Sequence, residues 1–385
     1  MYKQFDIVEL MKQSSIDKCL QDRRQYIPFL DCAKKFAIEN KMTILNLPKQ
    51  SELDLFTYTF FTFNASKMAH LLAIKLFEVS PLGRYTKVIT KIRDYIYVIS
   101  VNERELCTIT DIPNYKGARV TDILGTAYVD DMLYIGDEIQ SIILYKQLCN
   151  PAEEKNWTFI EKTLGIQNEP VTGSSEPDKP NEEDPEDIMT RAKLYSLIYD
   201  MVRKPDNVLI GNGALQLLNG ATNIDKEQRL QLVTTHNLSV FQKMFKQSNV
   251  TTSIANLQLF VDPRLCRLTI YVNKEPFIDV FNAGTYELLP FTVVRGMCVG
   301  SKYLLMCYRL IDIWTMRLLL GMKVIKSQYA ETMISIFKKQ FDSMQKLPVV
   351  PTLFTGTIVN YELFIKRNNN EINYPFYPLS RARKQ

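Results

Sequence analysis

Apolar residues recur along this chain with two periods, about 3.6 and 2 residues, and the period changes at a few polar positions. In "YIPFLDCAKKFAIENK" (Tyr26 to Lys41), Phe29, Cys32, Ala33 and Phe36 form one stripe, which predicts an amphipathic helix. "MTILNL" reads as a short strand, and "TYTFFTF", rich in β-branched and aromatic residues, as a longer one. Asn64 then stands where a helix cap is wanted. The following "ASKMAHLLAIKLFEV" carries Ala65, Met68, Ala69, Leu72, Leu76 and Val79 at helical spacing, and the strands "DYIYVISV" and "ELCTITDI" come next. Further on the theme repeats. "IMTRAKLYSLIYDMVRK" is a helix, "NVLIGNGALQLLNG" a strand turning through glycines into a helix, "RLQLVTT" a strand and "LSVFQKMFK" a helix. Three strand candidates, "LQLFVDP", "CRLTIYV" and "PFIDVFNAG", precede two long helical patterns, "SKYLLMCYRLIDIWTMRLLLG" and "SQYAETMISIFKKQFDSMQK". The expected fold class is α/β (α+β): two tandem, similar lobes with mixed sheets, the second closed by C-terminal helices.

The periodic pattern lapses between Gln167 and Asp187, "QNEPVTGSSEPDKPNEEDPED". This stretch is acidic, rich in Pro and Ser and nearly free of apolar residues, so it has little to bury and is expected to be a disordered tether. It could also mimic nucleic acid or bind a basic partner. The chain is thereby divided into a first lobe at 1–163, a linker at 164–187, a second lobe with its helical segment at 188–346, and a loop-like tail at 347–385.

Composition narrows the function classes. With 46% hydrophobic and 11% aromatic residues in 385, a large core can be buried. The start, "MYKQFDIVELMKQSS", lacks the apolar run of a signal peptide. The most apolar helix is interrupted by Arg309, Asp312 and Arg317, which argues against a membrane span. A soluble intracellular protein is the expectation, with the seven cysteines reduced and mostly in the core. His70 and His236 have no companions at ligand spacing, which disfavours a zinc site or a Ser-His-Asp triad. The net charge of +5 is unevenly spread, because the acidic segment offsets a more basic remainder. That permits nucleic-acid contact without requiring it.

One chemistry fits the order of elements. A nucleotidyltransferase site sets a glycine turn at a helix N-terminus to cradle a triphosphate. A neighbouring strand offers Asp-x-Asp. Residues i and i+2 of a strand share a face about 6.5–7 Å apart, so both can hold divalent metal, and a third Asp on another strand completes the site. Here "TYTFFTFN" resembles the "DYDFFSPN" segment of the poly(A) polymerase catalytic subunits of large cytoplasmic DNA viruses (poxviruses, asfarviruses and mimivirus-like viruses). Thr57 and Thr59 fall on the two aspartates, Phe60 and Phe61 on the apolar pair and Asn64 on the cap. "LCTITDIPNYK" is similar to the family's "VADISY" strand, with Asp111 on the third carboxylate. "GTAYVDDMLYIGDEIQSIILYKQLCNPAEEKNWTFIEK" resembles the stretch after the catalytic sheet, and "VGSKYLLMCYRLIDIWTMRLL" the late "SPxYLLL" helix. The ordered succession of these segments, over most of the chain, carries the resemblance.

The departures point to a degenerate member. "MTILNLPKQSEL" contains no glycine, so the triphosphate cradle is missing. A neutral threonine is a poor magnesium ligand, so Thr57, Thr59 and Asp111 are read as vestigial and no metal is expected; Asp54 is a conceivable substitute ligand. In the second lobe, Gly211 and Gly213 form a turn that is a weak nucleotide-binding candidate. Asp225, Glu227 and Asp279 are an alternative acid set, which alone would call for Mg or Mn as cofactor. If the two lobes are matched to each other, however, "RLQLVTTHN" pairs with "TYTFFTFN" and puts Arg229 and Gln231 on the aspartate positions. The resemblance implies a pseudoenzyme that partners an active poly(A) polymerase subunit or a viral transcription complex, as a dimer or larger assembly. It would work without a membrane, in the host cytoplasm and in the virion. RNA contact would fall to Lys and Arg between the lobes or to Arg381, Arg383 and Lys384 of the basic C-terminus. The alternatives are an active nucleotidyltransferase in the second lobe and a protein-only structural component.

Overall fold

A computed structural model describes residues 24–45, 57–79, 88–93, 96–112, 123–129, 131–151, 156–166, 185–222, 224, 229–245, 250–257, 265–283, 288–348, 350 and 352–355. They belong to two compact units, Met1–Gln140 and Ser141–Gln385. The boundary falls within a helix, Asp137–Leu148, upstream of the expected linker. Most of the linker lies outside the described residues, and its last three residues already belong to the helix Pro185–Val202.

The first unit is built on a seven-stranded sheet. Its strands are β1 (Thr43–Leu45), β2 (Tyr58–Thr62), β3 (Val88–Arg93), β4 (Ile96–Val101), β5 (Arg104–Asp111), β6 (Ala127–Val129) and β7 (Met132–Tyr134), in the order β3-β4-β5-β2-β1-β7-β6. β2 lies parallel to β5 and antiparallel to β1. Helix α1 (24–39) and helix α2 (Ala65–Glu78) pack on one face. Phe29, Ala33 and Phe36 of α1 and Ala65, Ala69, Leu72 and Leu76 of α2 join Ile44, Phe60, Cys107 and Ile109 in one buried cluster. The stripes read from spacing are therefore the packing stripes, except that Val79 is the exposed C-cap. Asn64 is the N-cap, its side chain accepting from the Lys67 amide. Strand β3 and the β6–β7 hairpin were not anticipated.

The second unit opens with α3 (Asp137–Leu148, most of which lies in this unit), α4 (Trp157–Thr163) and α5 (Pro185–Val202). Its sheet comprises β8 (Asn207–Ile210), β9 (Leu230–Thr234), β10 (Val250–Asn256), β11 (Cys266–Val272), β12 (Glu275–Asn282), β13 (Pro290–Val294), β14 (Met297–Gly300) and β15 (Leu353–Phe354). The order is β10-β11-β12-β9-β8-β14-β13-β15. Apart from the added β15, which makes the start of the expected tail a strand, this repeats the first sheet strand for strand. The relation extends to single bonds. β9 runs parallel to β12 and antiparallel to β8. Asn237 caps α7 (Leu238–Met244) as Asn64 caps α2. Ala283 N donates to Thr234 O as Ile112 N donates to Thr62 O. α6 (Gly211–Leu218) follows β8 directly, and α8 (Lys302–Gly321) and α9 (Ser327–Gln345) are the two long helices. The strand before "CRLTIYV" is β10, upstream of the expected "LQLFVDP", of which only Leu257 is described. The six cysteines among the described residues form no disulfide. No helix there is long and apolar enough to cross a membrane.

Candidate functional site

Pairing register decides which side chains can cooperate, because directly paired strand residues share a face and the next residue lies on the other. In the first unit Tyr58 pairs with Cys107, Thr59 with Thr108, Phe60 with Ile109 and Thr62 with Asp111. Asp111 therefore shares the helix-covered face with Phe60 and Ile109, whereas Thr59 lies on the opposite face with Thr108. Thr108 Oγ1 donates to Thr59 Oγ1 at 3.1 Å, and Thr57 is exposed just before the strand. The assignment of Asp111 to the third carboxylate is corrected accordingly. Its Oδ1 accepts from the Ala65 amide at 3.1 Å and so satisfies a free donor in the first turn of α2. The equivalent residue in the second unit, Asn282, also ties strand to cap, donating from Nδ2 to His236 O. The residue beside Thr59 in the third position is Thr108, so all three positions hold hydroxyls. Asp54 and the glycine-free turn lie outside the described residues.

In the second unit the corresponding positions do converge. Gln231 pairs with Asp279 across the parallel β9–β12 ladder. Arg229, two residues earlier in the chain, donates from Nη2 to Asp279 Oδ1 at 2.6 Å. Thr269, paired with Asp279 from β11, donates to the same oxygen at 2.8 Å. Arg267 Nε lies 3.9 Å from it. Burial of the Arg229 guanidinium disfavours its charge, but the neighbouring acids, Asp279 foremost and then Asp312, outweigh this, and the Arg229 pKa is raised. Gln231 continues the network into α8. Its Nε2 donates to Asp312 Oδ2 at 3.1 Å, and its Oε1 accepts from Arg309 Nη2 at 3.3 Å. Arg309 Nη1 also donates to Asp312 Oδ2 at 3.0 Å. Both charges are buried, so desolvation raises the Asp312 pKa against the pull of Arg309 and lowers that of Arg309 against the pull of Asp312.

The glycine turn belongs to the same assembly. Gly211, at φ +69°, connects β8 to α6 in the left-handed region, and the Gln231 amide packs on it. A β-carbon there would sit 2.2 Å from Gln231 Oε1. Gly213 lets α6 approach Ile224 and Leu230. Asp225, Glu227, Arg381, Arg383 and Lys384 lie outside the described residues. Among the described residues no three His, Cys, Asp or Glu side chains gather where they could hold a metal ion. Sequence reasoning missed Thr108, Arg267, Thr269 and the Arg309–Asp312 pair. Only the last had a signal: opposite charges three residues apart in an otherwise apolar helix.

What this chain resembles can now be set beside its geometry. No family model matches it. An uncharacterized protein of African swine fever virus (a tick isolate from Malawi) is 27% identical over 401 residues, covering 94% of this chain and 92% of that protein. The counterpart from a South African tick isolate is 26% identical over 426 residues, covering 98% of each. Among solved structures, the Megavirus polyadenylate synthase matches with a TM-score of 0.59 at 12% identity, over 97% of this chain and 85% of that one. At that identity the likeness speaks for the fold, and it bears out the expected α/β class with two tandem nucleotidyltransferase-like units.

Proposed function

We propose that this chain is a non-catalytic, poly(A)-polymerase-like protein serving as a partner or regulatory subunit of a viral mRNA polyadenylation or transcription complex. One observation carries the reading. Where the fold brings two strand positions and a neighbouring strand together on one face, one unit has Thr59 beside Thr108, and the other has Arg229, Gln231 and Asp279. Two-metal phosphoryl transfer needs several anionic oxygens converging on the ions. Threonine hydroxyls do not supply them, and the carboxylate of Asp279 is already engaged by Arg229 and Thr269. The alternative of an active second unit would have to draw on Asp279 against those bonds. The viral relatives and the polyadenylate synthase fold support the poly(A)-polymerase-like part of the reading. By the same reading it works in the host cytoplasm and virion, in a dimer or larger complex with an active polymerase subunit.

The test uses the full chain with labelled ATP, an RNA primer and magnesium or manganese. No incorporation is expected with either ion, and incorporation abolished by Asp279→Ala would overturn the reading. Affinity capture from infected cells, followed by mass spectrometry, should recover a polymerase or transcription subunit. Recovery of structural proteins alone would favour the protein-only alternative.

A further inference from the structure

The polar face of the second sheet is unevenly matched in charge. Among the described residues it gathers the guanidinium groups of Arg229, Arg267 and Arg309 against the carboxylates of Asp279 and Asp312. Arg309 and Asp312 pair in the interior, where Arg309 Nε has no acceptor. Arg229 and Arg267 both converge on one oxygen, Asp279 Oδ1, which also accepts from Thr269. Arg229 is within hydrogen-bond distance of it and Arg267 is not. The Arg267 side chain donates no hydrogen bond among the described residues, and its buried Nε lacks an acceptor. Its side chain is only 19% exposed, so water compensates it poorly. A buried donor without an acceptor is costly, and a charged one more so. The Arg229 side chain is 37% exposed, so the face remains open to solvent on that side.

We infer that Arg229 and Arg267 form a metal-independent site for a phosphate group, carried by a nucleotide or by an RNA backbone, on the strand face where an active nucleotidyltransferase unit would bind metal ions. Planar guanidinium forks match phosphate oxygens in pairs, and the surplus positive charge is of the sign a phosphate neutralises. The two arginines thus take the electrostatic role that metal ions would have there. This rests on the reading that the face holds no metal.

The experiment uses the full chain in EDTA at low salt. Inorganic phosphate and ATP are titrated by calorimetry, and a short labelled oligoadenylate by fluorescence anisotropy. Binding of at least one is expected, weakening as salt rises. Binding of phosphate and ATP but not the oligomer identifies a nucleotide as the source. Oligomer binding displaced by inorganic phosphate identifies the RNA backbone. Arg267→Gln should weaken binding about 10- to 100-fold, the scale of a hydrogen bond to a charged group. Asp279→Asn should strengthen it, since the acid that competes for both arginines loses its charge. Circular dichroism checks that each variant is folded; if Arg267→Gln is not, the wild-type titrations and Asp279→Asn still decide. Absence of binding by the wild type, or affinities unchanged in both folded variants, overturns the inference. Incorporation of ATP on adding magnesium would sink the non-catalytic reading instead, and the EDTA titrations are blind to it.

Discussion

Replacing Gly211 by alanine tests whether the glycine turn of the second unit is kept for a packed side chain. Two costs follow from its position. At φ +69° an L-residue is strained, by about 1–2 kcal/mol. In addition, the new methyl would lie 2.2 Å from Gln231 Oε1 and 3.1 Å from Gln231 Cδ, so the amide must move. Gln231 is buried, and its amide bonds both Arg309 and Asp312. Losing either bond to a charged partner costs about 1.5–3 kcal/mol. The expected total is about 2.5–5 kcal/mol, from strain plus the loss of one of those bonds. Gly220 is an internal control. It sits at φ +90° with nothing within 4 Å of its would-be β-carbon, so Gly220→Ala should show the strain alone. Urea unfolding of both variants, followed by far-UV circular dichroism, measures the difference. In a Gln231→Ala background most of the excess cost of Gly211→Ala over Gly220→Ala should vanish, leaving only the tight contact with the residue 231 β-carbon at 3.2 Å. Equal costs for the two glycine variants in the wild-type background would refute the packing argument.

Four further outcomes are expected. Arg309→Met and Asp312→Leu should each destabilise by about 3–5 kcal/mol, because each strands a buried charge, and the double variant should cost much less than their sum in the same urea assay. The Asp312 pKa is raised in the folded state, so its protonated form favours folding. That contribution is fully present below the unfolded value of about 3.9 and is lost as pH rises through the folded value. Denaturation at a series of pH values from 4 upward should therefore show the wild type losing stability relative to Asp312→Asn as pH increases, and the opposite trend would contradict the assigned direction. Asp111→Ala should cost about 0.5–2 kcal/mol, as the loss of a helix-capping bond does, and Thr57→Asp with Thr59→Asp should yield no nucleotide incorporation, since Thr108 still holds the third position.

Much of the fold was legible because periodicity is a local property. The α1 and α2 stripes, the Asn64 cap, the central strands of both sheets and the two C-terminal helices follow from which residues are apolar at which spacing. β3, the β6–β7 hairpin, the β13–β14 pair and β15 were not, because their positions are fixed by the neighbours they pair with. That Thr57 and Thr59 offer no carboxylates was also visible in the sequence, as was the likeness of "RLQLVTTHN" to "TYTFFTFN". What the sequence left undecided was the face and the partner of each polar group. Asp111 looked like a surviving acid until the β2–β5 register turned it toward α2, where it caps a helix. Arg229, Gln231, Asp279, Arg309 and Asp312 are scattered over more than eighty positions, yet the β9–β12 ladder and α8 bring them into one network. Spacing fixes the side of an element on which a residue lies, but only pairing and packing set the charge it faces, since that charge comes from a distant part of the chain.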